Sequence, residues 1–87
     1  VVNVGVTLTQ IIPTPGWISA DFHVHSVKSV DSDMDLAPRV ASFAVEGVDL
    51  LTATDHNHVA DYGPAIEAQN LEDWLSSAVG LELTSLE

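Results

Sequence analysis

The sequence predicts an α/β fold built on a parallel sheet, and three observations support this prediction. Segments 48–54 and 78–84 are short and nearly apolar, which is typical of strands buried in a parallel sheet. An earlier segment, 17–25, also has a strand-like composition and ends, as the other two do, near polar residues. Helix-forming stretches separate the three segments, so the order strand, helix, strand, helix, strand indicates two βαβ units.

The composition of the chain restricts its partners. Its 87 residues suit one small domain or part of a larger one, and the hydrophobic share of 46% is ordinary for a folded segment. The absence of cysteine excludes disulfides and thiolate metal sites. Two basic residues stand against 13 acidic ones, for a formal charge of −11. We expect no nucleic-acid partner, because phosphate binding requires Lys and Arg, and no membrane partner, because no apolar run is long enough.

The first 16 residues differ from the rest of the chain. Alternate positions near the start are apolar, namely Val2, Val4, Val6 and Leu8. A period of two predicts a strand with one buried face, and the proline-rich segment 13–16 after it predicts a stiff linker or turn. We therefore assign residues 1–16 to a strand and linker from an upstream β region, and residues 17–87 to the α/β domain.

The first predicted helix follows the strand over 17–25. Asp35 can cap a helix that starts at Leu36, and Pro38 is tolerated in its first turn. Gly47 is expected to end this helix. The apolar residues on one face of the helix are Leu36, Val40, Phe43 and Ala44.

The second half of the chain continues the alternation of strands and helices. Segment 48–54 suits a strand that is buried on both faces of the sheet. A second helix is predicted from about Pro64, and Asn70 is a candidate cap for a restart of it. The third strand is predicted from Ala78 to Thr84.

Polar residues follow each of the three predicted strands. His23 and His25 lie at the end of the first strand, Asp55 and His56 at the end of the second, and Glu82 near the end of the third. Ligands of α/β proteins bind at the carboxyl ends of parallel strands. The sequence therefore predicts that these side chains meet at one edge of the sheet.

The pair His23 and His25 has the spacing of a metal site. Residues i and i+2 of a strand project to the same face, so both imidazoles can reach one cation while Val24 points into the core. Imidazole and carboxylate ligands suit Zn²⁺, Mn²⁺ or Fe²⁺ better than Ca²⁺. For the pair alone, two ordinary polar side chains at a strand end are the favoured interpretation. Glu82 adds weight, because a glutamate between leucines of a buried strand is unfavourable unless it is paired or metal-bound.

Three stretches resemble the first three motifs of the polymerase and histidinol phosphatase (PHP) superfamily of metal-dependent hydrolases. They are DFHVHS over 21–26, TDHN over 54–57 and GLE over 80–82, in the family's order, and the resemblance spans residues 17–84. The runs PGWISAD, RVASF and TDHNH are similar to the carbaryl hydrolase-like branch. Members of that branch often carry a β domain before the metal domain, which fits the first predicted strand.

The resemblance implies a distorted barrel of seven strands with outer helices. It also implies two or three divalent ions (Zn, Mn or Fe) that activate water for attack on a small-molecule phosphate ester or related ester. By motif position, His23 and His25 bind the first ion and Glu82 bridges two ions. His56 binds a further ion together with Asp31, with Asp33 as the alternative. The candidate metal ligands are thus His23, His25, Asp31, His56 and Glu82, and the candidate catalytic residues are Glu82 and Asp55.

Asp55 and Asp21 each lie beside a candidate ligand. Either carboxylate is a candidate to orient an imidazole through a hydrogen bond. For Asp55 a second interpretation is equally open, namely that it only caps the turn or the next helix.

The resemblance covers only the opening motifs of the family. Its later motifs supply further histidines and an aspartate, whereas this chain contains four histidines in all. We therefore expect residues 17–87 to be a partial PHP domain, with full activity in a parent protein and weak or no activity alone. An exposed sheet edge would favour homo-oligomers, whose copies could together complete a site. The alternative is a non-catalytic metal-binding or structural module.

Overall fold

A computed structural model describes residues 3–5, 7, 9 and 12–85. Its elements are strand β1 (Ala20–Val24), helix α1 (Leu36–Val45), strand β2 (Leu50–Ala53), helix α2 (Gly63–Ala68) and strand β3 (Ser76–Ala78). The three strands form one parallel sheet in the order β1-β2-β3. The predicted α/β class and the order of its elements are confirmed.

The pairing of β1 with β2 contains an irregularity just before the candidate ligands. Asp21 pairs with Leu51 and Val24 pairs with Ala53, so β1 has one residue more than β2 between these pairs. Such a bulge changes the direction of side chains and is frequent beside active sites. Strict alternation would bury Phe22 with Val24, yet Phe22 is 69% exposed while Val24 is buried.

The core lies between the sheet and the two helices. Its buried apolar residues are Val24, Val40, Leu51, Ala53, Ala60, Tyr62, Ile66 and Leu75. Along β2 the burial alternates, with Leu51 and Ala53 buried and Leu50 and Thr52 only half-buried. The prediction that this strand is buried on both faces is therefore wrong for the described residues, and the second face of the sheet is partly open.

Helix α1 has the predicted start and apolar face. Val40 is fully buried in the core, and Leu36, Phe43 and Ala44 pack against it. Asp35 occupies the N-cap position, but its side chain makes no capping hydrogen bond, which corrects the predicted role. Gly47 has a φ of +79°, a left-handed conformation that glycine adopts without strain, and the helix ends just before it.

The elements after β2 are shorter than predicted. Helix α2 ends at Ala68, and Asn70, with a φ of +55°, lies in a turn rather than at the start of a further helix. Strand β3 ends at Ala78, where the predicted strand was expected to begin. Each outer strand, β1 and β3, has one partner among the described residues, so the oligomer through a sheet edge stays a prediction.

The segment after β3 contacts the segment after β2 through two single bridges. Gly80 bridges Ala60, and Glu82 bridges His56 in a parallel arrangement. A Cβ atom on Gly80 would lie 2.5 Å from the carbonyl oxygen of Ala53, so only glycine permits this close approach. The approach brings Glu82 to the carboxyl end of the sheet.

The first predicted strand is not seen among the described residues at the start of the chain. Residues 3–5, 7 and 9 belong to no helix or strand, and Val4 is 80% exposed. The other apolar members of the pattern, Val2, Val6 and Leu8, lie outside the described residues. Within the part of the chain that the structure describes, no helix has the length and apolar character needed to cross a membrane.

Candidate metal centre

Three candidate ligands converge at the carboxyl end of the sheet, and we call them the histidine cluster: His23, His25 and Glu82. The Nε2 atoms of the two imidazoles are 3.0 Å apart. Each of these nitrogens lies 2.9 Å from Oε2 of Glu82. The predicted convergence of the first and third strand ends is confirmed, and the two rings share one side of β1.

Hydrogen bonds alone cannot satisfy all three contacts of the histidine cluster. A neutral imidazole carries one proton, on either Nδ1 or Nε2, and an ionised carboxylate only accepts. If both Nε2 atoms carry a proton, two donors face each other across 3.0 Å. If one or neither does, at least two lone pairs face each other. A cation removes this conflict, because it accepts all three lone pairs at once.

The spacing of the three atoms also fits one metal ion. Ligand atoms bonded to one ion at about 2.0–2.2 Å lie roughly 2.8 to 3.6 Å apart, from octahedral to tetrahedral angles. The observed separations of 2.9 to 3.0 Å fall within that range. Two imidazole nitrogens and one carboxylate oxygen are the donor set that Zn²⁺, Mn²⁺ and Fe²⁺ accept. The residues present can therefore hold a divalent metal ion.

A second group of potential ligands adjoins the first and comprises His25, Asp31 and His56. Oδ1 and Oδ2 of Asp31 lie 2.9 and 3.0 Å from Nδ1 of His25. Oδ2 also lies 3.1 Å from Nε2 of His56. Asp31, rather than the alternative Asp33, thus reaches both imidazoles.

His25 belongs to both groups, and its two nitrogens divide between them. Nδ1 faces the carboxylate of Asp31, to which an Nδ1–H can donate. That tautomer leaves the lone pair on Nε2, which faces His23 and Glu82. A carboxylate that accepts from one imidazole nitrogen while the other binds a metal is a recurrent arrangement at metal sites. The carboxylate of Asp31, with both oxygens near Nδ1, therefore serves to orient His25.

His56 is held against the third strand end by a short ladder. The amide of Glu82 donates to the carbonyl of Asp55, and the amide of Asn57 donates to the carbonyl of Glu82. Asn57 then turns left-handed, with a φ of +50°, and its side-chain oxygen accepts from the amide of Thr84. The hydroxyl of Thr84 lies 2.8 Å from Nδ1 of His56. This nitrogen is 3.6 Å from Oε2 of Glu82.

The charges at the site change the proton affinity of three groups. Burial lowers the pKa of His25, but the carboxylates of Asp31 and Glu82 outweigh it, so the net pKa lies above the usual 6.5. The hydroxyl of Ser29 first, and then the imidazoles, hold the pKa of Asp31 at about 2. The hydrogen bond with His23 lowers the pKa of Glu82. Both carboxylates are therefore ionised at neutral pH and available to a cation.

Asp55 lies in a different environment, which we call the buried cluster: Ser26, Asp55 and Tyr62. All three residues are fully buried. Oδ1 of Asp55 accepts from the amide of Ser26 at 2.6 Å, and the Ser26 hydroxyl lies 3.1 Å from both oxygens. Oδ2 accepts from the hydroxyl of Tyr62 at 2.7 Å. Burial, with help from this carboxylate, raises the pKa of Tyr62 to about 12, so the phenol remains a donor.

These contacts correct the role that we expected for Asp55. Its carboxylate binds Ser26 and Tyr62 rather than an imidazole, and full burial keeps it from touching a substrate. It joins the residue after His25 to the side chain of Tyr62 at the start of α2, and it makes no capping hydrogen bond to that helix. Asp21 likewise accepts from the backbone amide of His23 and not from a ring.

Sequence patterns missed the hydroxyl residues that support the site. Ser29, Tyr62 and Thr84 contact residues that are distant in the chain, by 27, 38 and 28 positions respectively. No local periodicity identifies such partners. Among the hydroxyl residues near the site, only Ser26 had a sequence signal, because it directly follows the candidate ligand His25.

The histidine cluster is open to solvent on one side. The side chain of His23 is 66% exposed, whereas that of His25 is 16% exposed. His58, the fourth histidine, is also exposed but belongs to neither group of potential ligands. Comparison with protein-family models, with curated proteins and with solved structures finds no match to this chain.

Proposed function

We propose that this chain forms part of a divalent-metal-dependent hydrolase that acts on phosphate esters or related small esters. The observation that carries the proposal is the mutual contact of three potential metal-ligand atoms, from His23, His25 and Glu82, at 2.9 to 3.0 Å. The resemblance of the three sequence motifs to the PHP superfamily points to the same activity. The sheet and its two helices would then be the opening part of a distorted seven-stranded barrel.

The arrangement of the ligands supports a site for more than one ion. Oε2 of Glu82 lies between the two imidazoles of its cluster and is 3.6 Å from Nδ1 of His56. A glutamate in this position can bridge two cations. Oδ2 of Asp31 and Nε2 of His56 supply a second pair of donor atoms, 3.1 Å apart.

A bound cation would also resolve a problem of charge. With 13 acidic and two basic residues, the chain repels an anionic substrate. Divalent ions at the site would reverse the local field and attract a phosphate group. When bound, such an ion polarises a phosphoryl oxygen and lowers the pKa of bound water to about 7.

The residues of the chain have separate tasks in this proposal. His23, on the exposed side, leaves room for substrate and water to approach. His25 is held by Asp31 in the tautomer that presents Nε2 to the ion. Glu82 supplies negative charge at the shared edge, where its lowered pKa keeps it ionised.

Metal content and turnover test the proposal together. We expect the purified chain, after exposure to Zn²⁺ or Mn²⁺ and desalting, to retain metal in elemental analysis. His25→Ala should lose this metal, whereas His58→Ala, the same change at an exposed histidine outside the cluster, should retain it. A wild-type chain that binds no metal, or a His25→Ala variant that binds as wild type does, contradicts the proposal.

Hydrolysis of a generic aryl phosphate separates an enzyme from a binding module. We expect turnover, weak for this chain alone, that a chelator abolishes and that Glu82→Ala removes. If the gene encodes further residues, the longer protein should be far more active. Tight metal binding without turnover in either form would support the non-catalytic metal-binding module instead. Activity that rises faster than protein concentration would indicate that copies of the chain complete one another's sites.

A further inference from the structure

Ser29 is a nearly buried hydroxyl residue that contacts every member of the second ligand group. Its side chain donates to Oδ1 of Asp31 at 2.5 Å and accepts from the backbone amide of His56 at 3.2 Å. Its oxygen also lies 3.4 Å from Nδ1 of His25. Only 4% of the residue is exposed.

The backbone fixes Ser29 in this place. Its amide donates to the carbonyl of Ser26 at 2.8 Å, within a turn that directly follows β1. Ser26 is in turn held by the carboxylate of Asp55. The backbone turn therefore places the Ser29 hydroxyl between the carboxylate of Asp31 and the amide of His56.

We propose that Ser29 is a positioning residue: its hydroxyl holds Oδ1 of Asp31 and so fixes the carboxylate, with both oxygens beside Nδ1 of His25 and Oδ2 also facing Nε2 of His56. A hydroxyl has one proton to donate, and here it is directed to Oδ1. Without this hydrogen bond the carboxylate of Asp31 could rotate, and neither oxygen would keep a fixed partner. The inference deepens the proposed function, since it names the residue that fixes the carboxylate of Asp31 between His25 and His56.

Metal affinity is the first measurement, by competition with a chromogenic chelator. Loss of a residue that orients a ligand typically weakens metal binding by about 10- to 100-fold. We expect Ser29→Ala to fall near the lower end of that range, about 10-fold, and Ser29→Thr, which keeps the hydroxyl, to recover most of the affinity. Ser26→Ala is the control, because it removes a buried hydroxyl that touches no ligand side chain. It should lower thermal stability and leave the affinity unchanged.

The second measurement does not require metal. In the chelator-treated, ¹⁵N-labelled protein, above the pKa of His25, two-bond ¹H–¹⁵N correlation spectra report which ring nitrogen carries the proton. The wild type should show His25 protonated on Nδ1. Ser29→Ala should give a mixture of tautomers. Asp31→Asn should do the same, and because it changes an exposed side chain, it provides the test if Ser29→Ala does not fold.

The two measurements separate this inference from the proposed function. An unchanged His25 signal in a folded Ser29→Ala overturns the inference, whatever the metal affinity does, and so does an unchanged signal in Asp31→Asn. A changed signal in a chain whose wild type binds no metal supports the inference and overturns only the proposed function. Equal losses of affinity in Ser26→Ala and Ser29→Ala would show that Ser29 acts through stability alone.

Discussion

The buried cluster and the histidine cluster lie at the same end of the sheet, yet they differ in how their polar atoms are satisfied. In the buried cluster, the carboxylate of Asp55 receives hydrogen bonds from Ser26 and Tyr62, so donors match acceptors. In the histidine cluster, three atoms that can each offer a lone pair converge within 3.0 Å. Buried polar groups in native proteins are almost always hydrogen-bonded, and Asp55 follows this rule. The contrast indicates that one cluster maintains the fold, whereas the other has an arrangement of atoms that could hold a cation.

The largest expected effect is on the fold, from Asp55→Ala. The change would leave the amide and hydroxyl of Ser26 without their acceptor in a dry environment, whereas the hydroxyl of Tyr62 would keep the carbonyl of Val24. Each unpaired buried donor costs about 1–3 kcal/mol, so the free energy of unfolding should fall by at least roughly 2 kcal/mol. Urea denaturation measures this. Asp73→Ala, at an exposed aspartate, should change little, and a similar small effect for Asp55→Ala would mean that the buried cluster does not hold the strand ends.

Glu82→Gln should have the opposite profile, with a large effect on metal binding and a small one on folding. The amide keeps the size of the side chain but removes the charge that offsets a cation. We expect metal affinity to fall by more than about 100-fold, since loss of even an orienting residue costs about 10- to 100-fold. The urea midpoint of the metal-free protein should stay near that of the wild type. Calorimetric titration with Zn²⁺ measures the first effect, with Glu72→Gln, at an exposed glutamate, as the matched control.

The contrast between the clusters also explains what the sequence could and could not predict. The order of strands and helices follows from apolar segments and their polar ends, which are local patterns. The pairing of His23 with His25 follows from the period of two in a strand. Glu82 was expected inside a regular strand, but it reaches the site through a single bridge to His56. That bridge depends on the close approach at Gly80, which no periodicity reveals.

The buried cluster was the least predictable part for a physical reason. Asp55 stands beside His56 in the sequence, so a role at the ligands was the nearest inference. Its partners are set by tertiary contacts across 29 positions to Ser26 and by the start of α2 at Tyr62. The bulge before Val24 likewise arises from the register of two strands and leaves no mark in the hydrophobic pattern.

Tyr62→Phe is a milder test of the buried cluster than the loss of Asp55. The ring keeps its place in the core, and only the hydrogen bonds to Asp55 and to the carbonyl of Val24 are lost. We expect the free energy of unfolding to fall by about 1–2 kcal/mol, because a bond to a charged group contributes more than a neutral one. Metal affinity should not change. A loss of affinity comparable to that of Glu82→Gln would show that the two clusters are not separate in function.

The smallest expected effect is the pH dependence of the metal-free fold. The raised pKa of His25 adds stability that is fully present below 6.5 and is lost as pH rises through the folded-state pKa. The lowered pKa of Asp31 adds stability that is present above 3.8 and is lost as pH falls towards 2. Both contributions coexist between 3.8 and 6.5. In chelator, the urea midpoint should therefore be highest in mildly acidic solution.

With excess Zn²⁺ the maximum should move to higher pH, because metal binds neutral imidazole. Asp31→Asn should flatten the metal-free maximum, and Asp33→Asn, an equal change of charge two residues away, should retain it. A metal-free midpoint that rises steadily from acidic to alkaline pH would show that the imidazoles and carboxylates of the site do not pair without a cation.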